Sequence, residues 1–177
     1  INIANTPLNK GNTFTRDGIK YTVINTNPRE VEVGTGWHEP NHTAIDSSTQ
    51  GFLDIPSSVK GNDGITYNVT QIGSFAFCQC TGLTKITIPN TVRQIDFGAF
   101  AACYGLTSMT IPKSVDTIDQ SAFSGCVGLT SFDVDWQTPP AIGEDVFTNV
   151  DLSHVTLYVP AGTKNIYETA FVIKVVQ

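Results

Sequence analysis

The chain carries few charges and no concentration of positive ones. Of its 177 residues 15% are charged, and 10 Lys and Arg against 16 Asp and Glu leave a formal net charge of −6. No run of Lys or Arg occurs, so the basic footprint of a nucleic-acid binder is missing and an anionic membrane surface would repel the molecule. No stretch approaches the ~18 consecutive apolar residues of a membrane-spanning helix, so no membrane insertion is expected. A Ser/His/Asp arrangement and a Gly-rich phosphate loop are also missing. The chain begins at Ile1, with neither a basic start nor an apolar leader region, and we read it as a processed polypeptide whose signal sequence has been removed. Thr, Ser, Asn and Gly are plentiful instead, a balance that suits a β-rich surface better than charged surface helices.

Three segments are copies of one another at an offset of 23 residues: VTQIGSFAFCQCTGLTKITIPNT from Val69, VRQIDFGAFAACYGLTSMTIPKS from Val92, and VDTIDQSAFSGCVGLTSFDVDW from Val115. Their apolar positions fall into columns. Val69, Val92 and Val115 form one, Ile72, Ile95 and Ile118 another, Phe77, Phe100 and Phe123 a third, and Leu83, Leu106 and Leu129 a fourth. A period in this range with a Leu-x-x-Ile-x-Ile core is the signature of a leucine-rich repeat. A single unit buries too little to fold alone, whereas stacked units share their faces.

The Ile86-Thr87-Ile88 alternation predicts a strand with Thr87 outward, Thr110 and Asp133 standing in the same column of the next units, and Pro89 and Pro112 close the strand because proline cannot continue a ladder. The segment Gly73 to Cys80 is expected to form a short helical turn behind that strand. Phe52 to Pro56 repeats the strand ending, and Lys60 to Val69 reads as a hairpin insertion. Residues 14 to 33 alternate about an Asp17-Gly18 turn and predict an N-terminal β cap, while Thr163 is placed to N-cap a C-terminal helix over Lys164 to Ala170 with Ile166, Ala170 and Phe171 inward. Residues 172 to 176 read as more strand-like. Cys80, Cys103 and Cys126 recur at one offset, so they share a column pointing into the core and are expected to be free, buried thiols. The fold expected is therefore an α/β solenoid, mostly β: a right-handed leucine-rich repeat with a 23-residue period, an N-terminal β cap and a short C-terminal helical cap. Residues 1–58 would form the cap and first partial coil, 59–160 the repeat coils and 161–177 the closing cap, all in one folding unit.

The pattern Val-x-x-Ile-(x)4-Phe-(x)2-Cys-x-x-Leu-Thr-x-Ile-x-Ile-Pro, carried by the unit from Val69 and, with Met109 at the first strand Ile, by that from Val92, resembles the BspA-like leucine-rich repeat family of bacterial surface and secreted proteins. The unit from Val115 departs from it with Phe132 for Ile and Asp135 for Pro. Asp17 to Tyr21, Asn68 to Ile72, Thr138 to Pro140 and Leu157 to Gly162 extend the likeness across residues 14 to 172. The resemblance implies an exported or surface-anchored protein of a gut or oral bacterium that binds host or microbial partners, with no catalytic residues and no cofactor to carry over.

The candidate binding surface is the exposed strand face: Lys85, Thr87, Ser108, Thr110, Ser131 and Asp133, with Trp136 as an aromatic anchor and Trp37 or Tyr104 as further ones. The bland alternatives are that Thr simply suits an exposed strand and that Trp136 plugs the irregular last coil. His38-Glu39-Pro40-Asn41-His42 fits the zinc-hydrolase pattern H-E-x-x-H, but that chemistry needs a helix, and Pro40 with Gly34, Gly36 and Asn41 makes this loop composition. Asp133, Asp135, Glu144, Asp145 and Asp151 read as a solvated acidic patch, since paired catalytic carboxylates need a pocket. We expect no metal and no enzyme, but a cell-surface or secreted module adhering to a host extracellular protein or glycan, or to another bacterial surface protein. A structural spacer within a larger surface protein is the alternative, and a zinc-dependent hydrolase on the HEPNH segment the remote one.

Overall fold

The computed structural model describes residues 6–36, 41–170 and 174–177. One sheet opens as an antiparallel meander of β1 (Thr13–Arg16), β2 (Ile19–Thr26) and β3 (Arg29–Val33). Asp17 and Gly18 both take positive φ, 50° and 80°, the twist a two-residue hairpin requires. β3 then pairs in parallel with β6 (Thr66–Ile72), and the ladder runs on through β8 (Gln94–Ile95), β10 (Thr117–Ile118) and β12 (Ala141–Ile142). Val33, Ile72, Ile95, Ile118 and Ile142 stand in one register row. The hairpin read from Lys60 to Val69 is β5 (Ser58–Lys60) folded back on β6.

The other sheet is parallel throughout, in the order β14 (Lys174–Val176), β13 (Thr156–Tyr158), β11 (Ser131–Val134), β9 (Ser108–Ile111), β7 (Leu83–Thr87) and β4 (Gly51–Asp54). From β6 to β13 its strands alternate along the chain with those of the first sheet. Pro56, Pro89, Pro112 and Pro160 follow β4, β7, β9 and β13 and turn the chain out of the ladder. The chain is a mostly-β repeat fold with almost no helix.

The third side of each repeat differs from the expected helical turn. From Phe75 to Gln79 the N–H groups of alternate residues leave their own unit: Phe75, Phe77 and Gln79 donate to the carbonyls of Phe97, Ala99 and Ala101 at 3.1, 2.8 and 2.8 Å. The intervening Ala76, Cys78 and Cys80 bond three residues back along the chain. A helix directs every N–H along its own axis and cannot bond sideways. The geometry is reached by two columns of residues with left-handed backbone, Phe75, Gly98, Ser121 and Asp145 in one, Gln79, Ala102, Gly125 and Asn149 in the other. Each non-glycine member costs roughly 1–2 kcal/mol, offset by the bonds to the neighbouring unit.

Between these three sides lies one cluster of buried apolar side chains that extends from Phe14 to Val175. Phe77, Phe100, Phe123 and Phe147 stack with ring centroids 5.3, 5.2 and 5.7 Å apart and planes within 15° of one another. Gly82, Gly105 and Gly128 permit this spacing, because a β-carbon on Gly105 or Gly128 would fall on the carbonyl oxygen of Thr81 or Tyr104 in the preceding unit. All four cysteines are free and buried. The Cys103 thiol donates to the Phe77 carbonyl at 3.0 Å and Cys126 to Phe100 at 3.1 Å, while burial pushes the Cys80 and Cys126 thiols up to about 12 and raises Cys103 further.

At the far end α1 (Lys164–Ala170) packs with Tyr167 inward; its hydroxyl donates to the Trp136 carbonyl at 2.9 Å. Ile166, expected inward, is 45% exposed. Thr163 stands at the N-cap position, its carbonyl accepting from the N–H groups of Ile166 and Tyr167 at 2.9 and 3.3 Å and its hydroxyl donating to the Pro160 carbonyl. With its amide oxygen turned toward the backbone, Gln177 accepts from the N–H groups of Gly162, Thr163 and Lys164 at 3.1, 3.1 and 2.8 Å and adds to the cap. The expected inward Phe171 lies outside the described residues.

Candidate functional site

The outer face of the parallel sheet brings six of the seven expected residues together. Its register forms one column of Phe52, Lys85, Ser108, Ser131 and Thr156, and a second of Asp54, Thr87, Thr110, Asp133 and Tyr158. Alternation fixes which side chains point out, because the residues between them, Leu53, Ile86, Met109, Phe132 and Leu157, face the core side of the sheet. Lys85, Thr87 and Thr110 are exposed, and Ser108, Ser131 and Asp133 are half-buried among their neighbours. Partial burial, reinforced by Asp135, raises the Asp133 carboxyl above its usual range, and Lys85 pulls it back.

Trp136 does not belong to this face. It is 7% exposed, and its indole N–H donates to the Val115 carbonyl at 2.6 Å inside the last units of the core. An indole needs a partner for its N–H when buried, and this one is satisfied internally, so Trp136 is a plug and not an anchor. Tyr104 is exposed but stands in the turn ahead of β9, off the strand face. Trp37 lies outside the described residues.

Two aromatics on the face were missed by sequence reasoning. Phe52 is 58% exposed at one edge of the sheet and Tyr158 is 42% exposed toward the other. The signal was present: each precedes or occupies the variable position of an aliphatic-x-aliphatic-Pro ending, Leu53-Asp54-Ile55-Pro56 and Leu157-Tyr158-Val159-Pro160, and strand alternation puts both outside.

Of the H-E-x-x-H segment, His38 and Glu39 lie outside the described residues. The backbone carbonyl of His42 accepts from the Thr35 hydroxyl at 3.1 Å, and His42 borders an open cleft with Thr13, Thr15 and Lys20. His154 sits at an exposed turn, its Nδ1 2.9 Å from Asp151 Oδ2. Among the described residues no three His, Cys, Asp or Glu side chains converge on a metal position.

A β-rich stack of repeated units, with a ladder of mostly small polar groups on one sheet face, places the chain among the repeat proteins. Within that class the match is specific. The model of the BspA type leucine-rich repeat region, in six copies, covers residues 62–174, and the chain belongs to this family. A leucine-rich repeat protein from Bacteroides ovatus ATCC 8483 is 30% identical with a TM-score of 0.62 over 85% of this chain, which spans 36% of that protein's length. One from Bacteroides capillosus ATCC 29799 is 24% identical with a TM-score of 0.64, covering 84% of this chain and 99% of that one. A leucine-rich cell surface protein from Faecalibacterium prausnitzii A2-165 shares the fold at 20% identity and a TM-score of 0.60, over 91% of this chain and 45% of its own. No curated protein sequence matches significantly. The family and these neighbours are described as leucine-rich repeat proteins, and none of those descriptions assigns a catalytic activity. No helix among the described residues is long and apolar enough to cross a membrane.

Proposed function

We propose that the chain is an extracellular or cell-surface adhesion module that binds without catalysis through the outer face of its six-stranded parallel sheet. In this reading the repeats wind as a right-handed solenoid of 23-residue coils. The meander of β1 to β3 closes one end and α1 with β14 closes the other, with residues 1–58, 59–160 and 161–177 forming one folding unit. The partner is a host extracellular protein or glycan, or another bacterial surface protein. The observation that carries the reading is the alignment of Lys85, Thr87, Ser108, Thr110, Ser131 and Asp133 in two adjacent columns on an uninterrupted sheet face. The surface description of the Faecalibacterium neighbour supports the location.

The test is immobilised binding of the purified chain to extracellular-matrix proteins, mucins and bacterial glycans, beside a Thr87→Lys/Thr110→Lys variant. Both substitutions are on exposed side chains, so the fold should survive, and circular dichroism checks it. Saturable binding that the variant loses by at least tenfold is the expected result. Binding that survives the variant moves the site to the loops, and no binding with the fold intact leaves a structural spacer.

A further inference from the structure

The hydroxyls of this chain fall into two groups with different fates. Thr107 and Thr130, just ahead of β9 and β11, donate to the carbonyls of Thr84 and Thr107 one unit earlier, at 3.3 and 3.1 Å. They stitch unit to unit. The hydroxyls of Thr87, Ser108, Thr110 and Ser131 on the strand face make no hydrogen bond to any described residue, and neither does the Asp133 carboxylate. A polar ladder unused by the fold is a ladder open to a ligand.

What the centre of that face omits narrows the ligand. Across β7, β9 and β11 it presents one cation, Lys85, and one anion, Asp133, and otherwise only Thr and Ser. No aromatic, Arg or large apolar group stands among them. Protein interfaces concentrate their energy in central Trp, Tyr and Arg anchors seated in pockets, and Ser and Thr are under-represented among those anchors. Here the aromatics stand at the margins: Phe52 on β4 and Tyr158 on β13, four strand spacings or about 19 Å apart across the strands and one register column apart along them. Each offers an exposed ring on which a partly apolar ring face can stack.

From this distribution we infer that the partner of the strand face is an extended, uncharged glycan lying across the strands. Phe52 and Tyr158 stack on its end units, and Thr87, Ser108, Thr110, Ser131 and Asp133 hydrogen-bond its hydroxyls along the way. The identification rests on the strand-face reading above and names its partner. Every contact has its chemical counterpart. A hydroxyl both donates and accepts, as a sugar hydroxyl does, and a carboxylate accepts from vicinal hydroxyls with both oxygens. The spacing of the rungs, about 4.8 Å, is close to the advance of one pyranose unit in an extended chain, so successive sugars meet successive strands. Charge agrees with the choice: from β4 to β11 the outward columns carry Asp54, Lys85 and Asp133, a net −1, on a molecule of formal net charge −6 that repels anionic polymers.

The experiment titrates the whole chain with linear neutral oligosaccharides of glucose, N-acetylglucosamine, xylose and mannose, from disaccharide to octasaccharide, by calorimetry and by chemical-shift perturbation. The expected result is binding of at least one series, with affinity rising with length and levelling once the oligomer spans Phe52 to Tyr158. Phe52→Ala and Tyr158→Ala should each weaken it about fivefold to tenfold, and Thr87→Lys/Thr110→Lys should abolish it. Deglycosylated matrix proteins run in parallel separate the two readings. If they bind through Thr87 and Thr110 while no oligosaccharide binds at millimolar concentration, the glycan inference falls and the strand-face function stands. If sugars bind without regard to length or to Phe52 and Tyr158, the inference also falls. If neither ligand class responds to the double substitution, both readings fall.

Discussion

The four cysteines illustrate how one residue type serves a stacked fold. A thiol is small enough for the interior of every unit, and at Cys103 and Cys126 it gives a second hydrogen bond to a carbonyl of the preceding repeat. Burial, the main cause, raises all four thiols, with Cys80 and Cys126 at about 12. The thiolate is the reactive form, so native protein should resist alkylating reagents at pH 8. All four cysteines should then label together once the chain is unfolded, as mass spectrometry would show. Fast labelling of Cys103 or Cys126 in the folded state would contradict the packing. Because a raised pKa withholds ionisation from the folded state, this contribution to stability is complete below about pH 8.5, the ordinary thiol value. It is lost as pH climbs toward 12.

At the scale of elements, the junction between β3 and the repeat strands carries a distinct electrostatic load. Glu32 on β3 is in register with Gln71 on β6, and its carboxyl occupies the space left by Gly73, where a β-carbon would come within 3.2 Å of it. Gln71 Nε2 donates to Asp96 at 2.5 Å beside β8. Burial first, and the charge of Asp96 second, lift the Glu32 carboxyl from 4.5 to about 7. A raised carboxyl stabilises the fold fully below the unfolded value and loses that contribution as pH rises through the folded one. Stability should therefore fall between about pH 4.5 and pH 7 by on the order of 2 kcal/mol. Glu32→Gln should flatten that decline and leave the variant more stable than the parent at pH 8, as urea titrations at several pH values would reveal.

The same scale shows what was legible beforehand. Strand columns were readable because a period of two leaves one side apolar, and the Asp17-Gly18 hairpin because its turn chemistry is local. The third side was not, because its left-handed positions are filled by Phe75, Gln79, Ala102, Ser121, Asp145 and Asn149 as well as by Gly98 and Gly125. Glycine at two of the eight gives too thin a signal, and the bonds that justify the strain go to a residue in the next unit. The sequence left Trp136 open between anchor and plug and did not mark Tyr167, for a related reason: each is fixed by a partner 21 or 31 residues away. The strand-face residues were found by alternation, and Phe52 and Tyr158 obey the same rule.

For the whole molecule, the continuity of the core sets how it should unfold. The ring stack from Phe77 to Phe147 passes through every regular unit, and Phe100 is flanked by rings on both sides. Phe100→Ala opens a void mid-stack and should cost about 3–5 kcal/mol. With so few units sharing one core, the loss should appear as a single shifted transition, coincident by far-UV circular dichroism and tryptophan fluorescence. Two separate transitions would show that the stack divides into independent halves.

The ladders that pass unchanged from one unit to the next also bear on how such a gene changes. An in-frame tandem duplication of one unit inserts a layer whose upper and lower surfaces already match the layers it separates. It lengthens the strand face by one rung without requiring a compensating mutation anywhere else. An insertion of arbitrary length inside a unit enjoys no such match, because it displaces phenylalanine, thiol and glycine columns at once. Growth of such a molecule by duplication therefore proceeds in whole layers, each adding one rung to the strand face.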